Sequence, residues 1–255
     1  MSNTIDLIGA KTYTVGDIII NIPTVRQLRG DNNKDNTRYW KDFGLFMKVP
    51  DEMSSELDDI GIDFSQMSDF DLFMLLFLIH KKFTADETIS EDSCSLFKNL
   101  SLYDLELQGN TLVDKGGNTV IDRNIYRQIS DVLCAIICYE KPKKIKWGND
   151  FARKMWIKRD REKKEKQRKE AILQKENGTE NENSHSLIGG IILRLVNSGR
   201  FPYNYETVKD ITIYELFWSL RQIDRDNEVD YLMSTSLVGN DLSKIAQSKL
   251  SRFVM

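Results

Sequence analysis

Between Lys158 and Glu170 the chain contains no apolar residue. Helix propensity is high from Phe151 onward, yet a helix without an apolar stripe has no face to give to a core. Whatever the rest of the chain does, this stretch must face solvent or another charged surface. The charge around it is also uneven. From Lys141 to Lys175 there are 15 Lys or Arg and 5 Asp or Glu, a net +10. The whole chain carries −3, so everything outside that segment carries −13. Acid-first pairs four residues apart, Asp160–Lys164, Glu162–Lys166 and Glu165–Lys169, each add about 0.2–0.5 kcal/mol to an exposed helix.

On either side of this helix the pattern is that of folded protein. The 255 residues, 40% of them hydrophobic, can build a sizeable core. The sequence TYTVGDIIINI over 12–22 predicts a hairpin turning at Gly16-Asp17. Pro23 is placed at the first position of a helix through TVRQLR. A helix is expected over 37–48, a short one from Pro50 to Gly61, and one opened by Ser68-Asp69. The run from Phe70 to Ile79 is apolar all round and is expected at the centre of the core. Residues 100–121 are expected to be β-rich, with LSLYDLEL alternating and a hairpin turning at Lys115-Gly116-Gly117. A helix over 123–139, with apolar residues at 125, 129, 132, 133, 136 and 137, should cover a small antiparallel sheet. After the polar linker ENGTENENSHS, LIGGIILRLV forms a helical stripe ended by Pro202. Asn204 is expected to cap a short helix, and Thr212 with Glu215 forms a capping box for the next. The expectation is an α+β protein, predominantly helical, in four parts. These are an α+β N-terminal domain (1–148) with small antiparallel hairpins, a basic connecting helix (149–175), a linker (176–186) and a helical C-terminal module (187–255).

Three cysteines, Cys94, Cys134 and Cys138, make a poor disulfide framework and suit a reducing compartment. No basic-then-apolar leader opens the chain. The longest apolar run, Leu72 to Ile79, is eight residues, far short of the roughly 20 needed to span a bilayer. A cytoplasmic protein without a membrane segment is expected.

No arrangement for catalysis emerges. Of the two histidines, His185 lies in the polar linker and His80 ends an apolar helix, where a cation stabilised by the dipole is the simpler account. Cys134 and Cys138 share a helix face but lack the other ligands of a zinc site, so small core residues are expected. No phosphate-binding glycine loop is present, and Gly189-Gly190 is ascribed to close helix packing. Asp58, Asp59, Asp63, Asp69 and Asp71 are expected to form a solvated acidic face. No enzyme, metal or cofactor is expected. The basic patch Lys143, Lys144, Lys146, Arg153, Lys154, Lys158, Arg159, Arg161, Lys163, Lys164, Lys166, Arg168 and Lys169 could neutralise phosphates, although interleaved acids soften its field.

Two stretches carry a family likeness. GDIIINIPTVRQLRGD near the N-terminus and FPYNYETVKDITIYELFWSLRQIDRDNEVDYLMSTSLVG near the C-terminus resemble tail assembly chaperones of tailed phages and prophages of Gram-positive hosts. The second has an aromatic-x-Tyr-Glu-x-Val-x-Asp rhythm followed by Tyr-x-x-Phe. The likeness implies a protein that binds the tape measure protein, with the tail tube protein as a further candidate partner, while the tube polymerises. It points to Tyr203, Tyr205, Val208, Tyr214, Phe217 and Trp218. Phe217 falls on the stripe of Ile213, Leu216 and Leu220 and is expected in the core. Tyr214, Trp218 and Arg221 fall on another stripe and, with Tyr203 and Tyr205, are the expected partner-binding residues. The alternatives are a nucleic-acid-binding module using the basic helix, or a structural tail or connector subunit, a homo-oligomer joined through its segregated charges.

Overall fold

The computed structural model describes residues 7–29, 36–84, 94–116, 118–176 and 187–237. The linker histidine His185, the second glycine of the 115–117 turn and residues 238–255 lie outside them. The fold is α+β and predominantly helical. The predicted hairpin forms from β1 (Thr12–Val15) and β2 (Ile18–Asn21), in register Thr12↔Asn21 to Val15↔Ile18. Gly16 turns it with φ +57°, and a Cβ there would also meet Ile125 Cδ1 at 3.3 Å. A residue with a side chain would be strained twice over. Asn99, on a later strand-like segment, accepts from Ile19 N at 2.9 Å and donates to Asp17 O at 2.6 Å, clamping the same turn.

α1 (Val25–Arg29) starts two residues after Pro23. Thr24 is its cap: Gln27 N donates to Thr24 Oγ1 at 3.3 Å and Thr24 N donates to Gln27 Oε1 at 3.0 Å. Proline at the first helical position is therefore corrected to a reciprocal box that satisfies two otherwise orphaned amides. α2 (Thr37–Met47) is capped by Asn36. A 3-10 turn (Pro50–Met53) runs into α3 (Ser54–Asp59), which Gly61 stops at φ +74°. α4 (Asp69–Thr84) opens on a second box, Ser68 with Asp71. Phe70, Leu72, Phe73, Met74 and Phe77 are buried as expected, but Leu78 and Ile79 near the end of the run are exposed.

The alternation expected over 100–107 yields in part to a 3-10 turn, Leu102–Asp104, because Leu102 and Leu105 both turn inward. Three short strands follow: β3 (Glu106–Gln108), β4 (Thr111–Val113) and β5 (Thr119–Ile121), ordered β3-β4-β5 and antiparallel. α5 (Arg123–Ile136) packs across β1 and β5 with Ile129, Val132, Leu133 and Ile136 buried. It ends earlier than its apolar stripe suggests. Cys138 sits at φ +52°, Cys138 N donates to Ala135 O at 3.2 Å and Tyr139 N to Cys134 O at 2.9 Å. This is a Schellman closure with a side-chain residue where glycine is favoured. Cys134 and Cys138 therefore do not share a helical face. Cys134 faces Met47 Sδ at 3.8 Å, and burial raises both thiols. Cys138→Gly should raise unfolding free energy by about 0.5–1 kcal/mol through relief of left-handed strain, read as a higher denaturant midpoint at constant slope; a lower midpoint would mean the half-buried thiol contributes more than its backbone costs.

The core centres on aromatic rings from several elements. Phe46 lies 4.7 Å from Phe73, 5.8 Å from Phe97 and 5.8 Å from Tyr126 between centroids. α7 (Leu187–Asn197) and α8 (Ile213–Leu237) contribute Ile188, Leu195, Ile213, Leu216 and Ile223 to this same core. Gly190 faces open space, so close helix packing does not explain it. The predicted box is present: Thr212 N donates to Glu215 Oε2 at 2.8 Å and Glu215 N to Thr212 Oγ1 at 3.2 Å. Just before it, the C-terminal segment is sewn to the N-terminal one. Thr24 and Thr212 form an antiparallel bridge, Val25 N donates to Ile211 O at 3.0 Å, and Ile213 N donates to Pro23 O at 2.9 Å. Arg26 adds an ion pair with Asp210 at 2.9 Å. No helix among the described residues is long and apolar enough to cross a membrane.

Candidate functional site

The basic segment forms α6 (Asp150–Glu176), opened by Asn149 Oδ1, which accepts from Ala152 N at 2.8 Å. Two of the three predicted ladder pairs are present: Lys164–Asp160 at 2.7 Å and Lys169–Glu165 at 2.8 Å. Glu162 pairs instead with Lys158 at 3.9 Å, and Lys166 with Glu170 at 3.8 Å. Such pairs support the helix locally but do not fix it to the body of the protein.

One side of α6 is fixed by carboxylates that the sequence separates from it by about a hundred positions. Arg153 meets Asp63 at 3.0 Å and Ser65 Oγ at 3.3 Å. Arg161 bridges Asp58 at 3.2 Å and Asp59 at 2.5 Å. Asp160 points into the start of α3, where its Oδ2 accepts from Ser55 Oγ at 2.7 Å, Ser55 N at 3.3 Å and Ser54 Oγ at 3.3 Å. Lys164 spans Asp160, Glu56 at 2.5 Å and Glu52 O at 2.8 Å. Burial alone would raise the Glu56 and Asp160 carboxyls; Lys164 and the serine donors more than offset it and hold both below their ordinary values. Asp58, Asp59 and Asp63 remain exposed to solvent, as expected, but they also have a structural role. They are the docking surface for the basic helix.

Between the charged contacts lies a single apolar peg. Ile157, 5% exposed, enters a satellite core made by Leu57, Phe64 and Leu72 with Trp147 against it. The bulkier apolar residues around it do not provide the peg. Phe151 is 72% exposed, and Trp156, 40% exposed, leans on Trp147 with centroids 5.7 Å apart. Ile157 falls on the line of Arg153, Asp160 and Lys164, so helix phase selects it over its bulkier neighbours. Beside this seam runs a groove of about 400 Å³, with Asp51, Glu52, Lys143 and Ile145 on one wall and Trp156, Lys163 and Gln167 on the other.

The predicted basic patch is thus divided. Arg153, Arg161 and Lys164 face inward. Lys144 donates to Met67 O at 3.3 Å. Lys158, Lys166 and Lys169 pair along the helix. Lys143, Lys146, Lys154, Arg159, Lys163 and Arg168 are exposed and make no ion pair among the described residues. Ser54, Ser55 and Glu56, which complete the docking site, were not singled out from sequence; a serine pair opening a short helix beside an acidic run is the signal that points to them.

The C-terminal aromatic stripe is divided as well. Tyr214 is 1% exposed and stacks on Trp218 at 6.2 Å, so it belongs to the core and not to a contact patch. It lies at the start of α8, which packs against both α5 and α7, with Cys138 beyond the end of α5 close to its ring. Trp218 is half-buried, and Arg221 reaches Glu140 at 3.5 Å. Phe217 is half-buried against Trp40 at 6.5 Å. Tyr203 and Tyr205 are exposed, and Tyr205 is steadied by a 3.0 Å hydrogen bond from its hydroxyl to Asn197. Asn204 between them caps the 3-10 turn Thr207–Asp210, accepting from Glu206 N and Thr207 N at 2.9 Å each.

His80 lies one turn inside the end of α4, which continues to Thr84. Its Nε2 lies 3.1 Å from the Tyr103 hydroxyl and 3.4 Å from Asp42. Burial raises the Asp42 carboxyl, with His80 and Arg38 working against it. Among the described residues no three His, Cys, Asp or Glu side chains converge as a metal site. The sequence matches no protein-family model, and comparison with curated proteins and with solved structures gives no match.

Proposed function

We propose that this chain is a non-enzymatic assembly protein of a phage tail, of the chaperone type, which binds the tape measure protein in the host cytoplasm. The observation that carries the reading is the joint between the two stretches that resemble tail assembly chaperones. They lie at opposite ends of the sequence, yet Pro23–Arg26 and Asp210–Ile213 are bridged, hydrogen-bonded and ion-paired to one another. The likeness therefore falls on one continuous piece of structure. Tyr203 and Tyr205 sit beside that joint in sequence and offer exposed, locally held aromatic rings of the kind that anchor protein interfaces. The inward pairing of Arg153, Arg161 and Lys164 reduces the field that α6 can present to a polyanion, which favours a protein partner over nucleic acid.

The test is affinity capture of the tagged chain from producing cells, followed by mass spectrometry, with nuclease treatment in a parallel sample. A very long helical tail protein should co-purify whether or not nuclease is present, and Tyr203→Ser with Tyr205→Ser should reduce its recovery. Partners that disappear with nuclease, or the chain itself as a stoichiometric component of the mature particle, would overturn the proposal.

A further inference from the structure

The side of α6 that docks onto α3 does not stop where the body of the protein stops. Ile157, Arg161 and Lys164 lie on one helical line, and the next residues on it are Arg168 and Ile172. Beyond Lys164 every described side chain of α6 is exposed, Ile172 and Leu173 each at 55%. No ion pair or hydrogen bond from this part to another element occurs among the described residues. The helix continues to Glu176, roughly 18 Å past its last anchor at 1.5 Å per residue.

The docked half shows which chemistry this line selects. Against it lie carboxylates, Asp58 and Asp59 on Arg161, flanking the apolar pair Leu57 and Phe64 around Ile157. The overhang repeats the basic-then-apolar order of Arg153 and Ile157 with nothing opposite it among the described residues. We infer that Arg168 and Ile172 form a docking surface for an acidic amphipathic helix of a partner protein, with carboxylates flanking apolar side chains as in α3. A second copy of the chain cannot supply that surface from its own α3, because α6 of the same copy already covers it. This inference rests on the reading of the chain as a protein-binding assembly factor and assigns the chemistry of what it binds.

The experiment uses the full chain and two synthetic helical peptides. One carries Glu flanking Leu at the spacing of Leu57, Asp58 and Asp59; the other has Lys for every Glu. The Glu peptide should bind by fluorescence anisotropy and the Lys peptide should not. The exposed double variant Arg168→Glu with Ile172→Glu should bind about tenfold or more weakly, with unchanged circular dichroism. Arg159→Glu, on the opposite side of α6, should stay within about twofold. Absence of Glu-peptide binding, equal binding of the Lys peptide, or equal weakening by Arg159→Glu would overturn the inference, the last by showing bulk charge attraction. Capture of the tape measure protein that persists in the double variant would overturn this assignment and leave the functional proposal standing. Peptide binding without any tape measure capture would do the reverse.

Discussion

Asp160→Ala is expected to lower the unfolding free energy by about 2–3 kcal/mol, the scale for hydrogen bonds to a charged group whose partners are left buried. Ser54 and Ser55 are almost wholly enclosed, so the Ser54 hydroxyl and the Ser55 amide would lose their acceptor with no solvent to replace it, while the Ser55 hydroxyl would keep only Glu56 Oε2 at 3.0 Å. Lys164→Met should cost less, because Glu56 is partly exposed and can turn to water. The two variants should be non-additive, since Asp160 and Lys164 touch. Denaturant unfolding of both single variants and the double variant measures this; simple addition would mean the network is not coupled.

The same site sets an acid limit. Glu56 and Asp160 are held below their ordinary values of 4.5 and 3.8 in the folded state. The folded state thus binds fewer protons than the unfolded one. Its extra stability is complete above the unfolded values and is lost as pH falls through the folded ones. Thermal midpoints should fall below about pH 4.5 in the native chain, and more shallowly in Lys164→Met.

Phe46→Ala is expected to cost about 3–5 kcal/mol, the range for truncating a large aromatic side chain in a packed core. Its ring is fully buried and touches rings from α4, α5 and the segment carrying Phe97, so no single neighbour can move to fill the space. The backbone of the same residue adds to its weight. Phe46 O accepts from Lys141 Nζ at 2.9 Å and Ser130 Oγ at 3.1 Å, which fastens the end of α2 to α5 and to the chain beyond it. Phe46→Leu should recover much of the loss. A denaturant midpoint shift of less than about 1 kcal/mol in Phe46→Ala would show that this ring cluster is not the centre of the core.

The elements legible in the sequence are those decided by near neighbours. Gly16-Asp17, the Ser68 cap, Asn204, and Thr212 with Glu215 act over two to four residues, and each stands where its residue types require, although the Asp71 partner of Ser68 emerged only in the fold. Phase along a helix was legible for α5 and α7. What was not legible depends on residues far apart in the chain. Asp58 and Arg161 each sit in a charge run, and a charge run alone gives no sign that its complement lies about a hundred positions away. Charge composition placed both runs in solvent, where they remain largely exposed, but it did not show that the fold sets them against each other. Tyr214 was misplaced for a related reason. A stripe on a helical wheel supposes one buried side, whereas α8 is packed by α5 as well as by α7. Cys138 shows the opposite limit: the apolar spacing of α5 continues through Ile137, but a left-handed residue ends the helix regardless of hydrophobicity.

The bond between Arg26 and Asp210 closes a span of 184 residues. During synthesis the first hairpin and α1 leave the ribosome long before the strand of chain that completes them. Val25, buried in the finished fold, receives the backbone contacts of Ile211 only after that span has been made. Closing so long a span is a late event that local structure cannot hurry. A chain cut short before Asp210 would carry an open seam at α1, prone to aggregate or to be degraded.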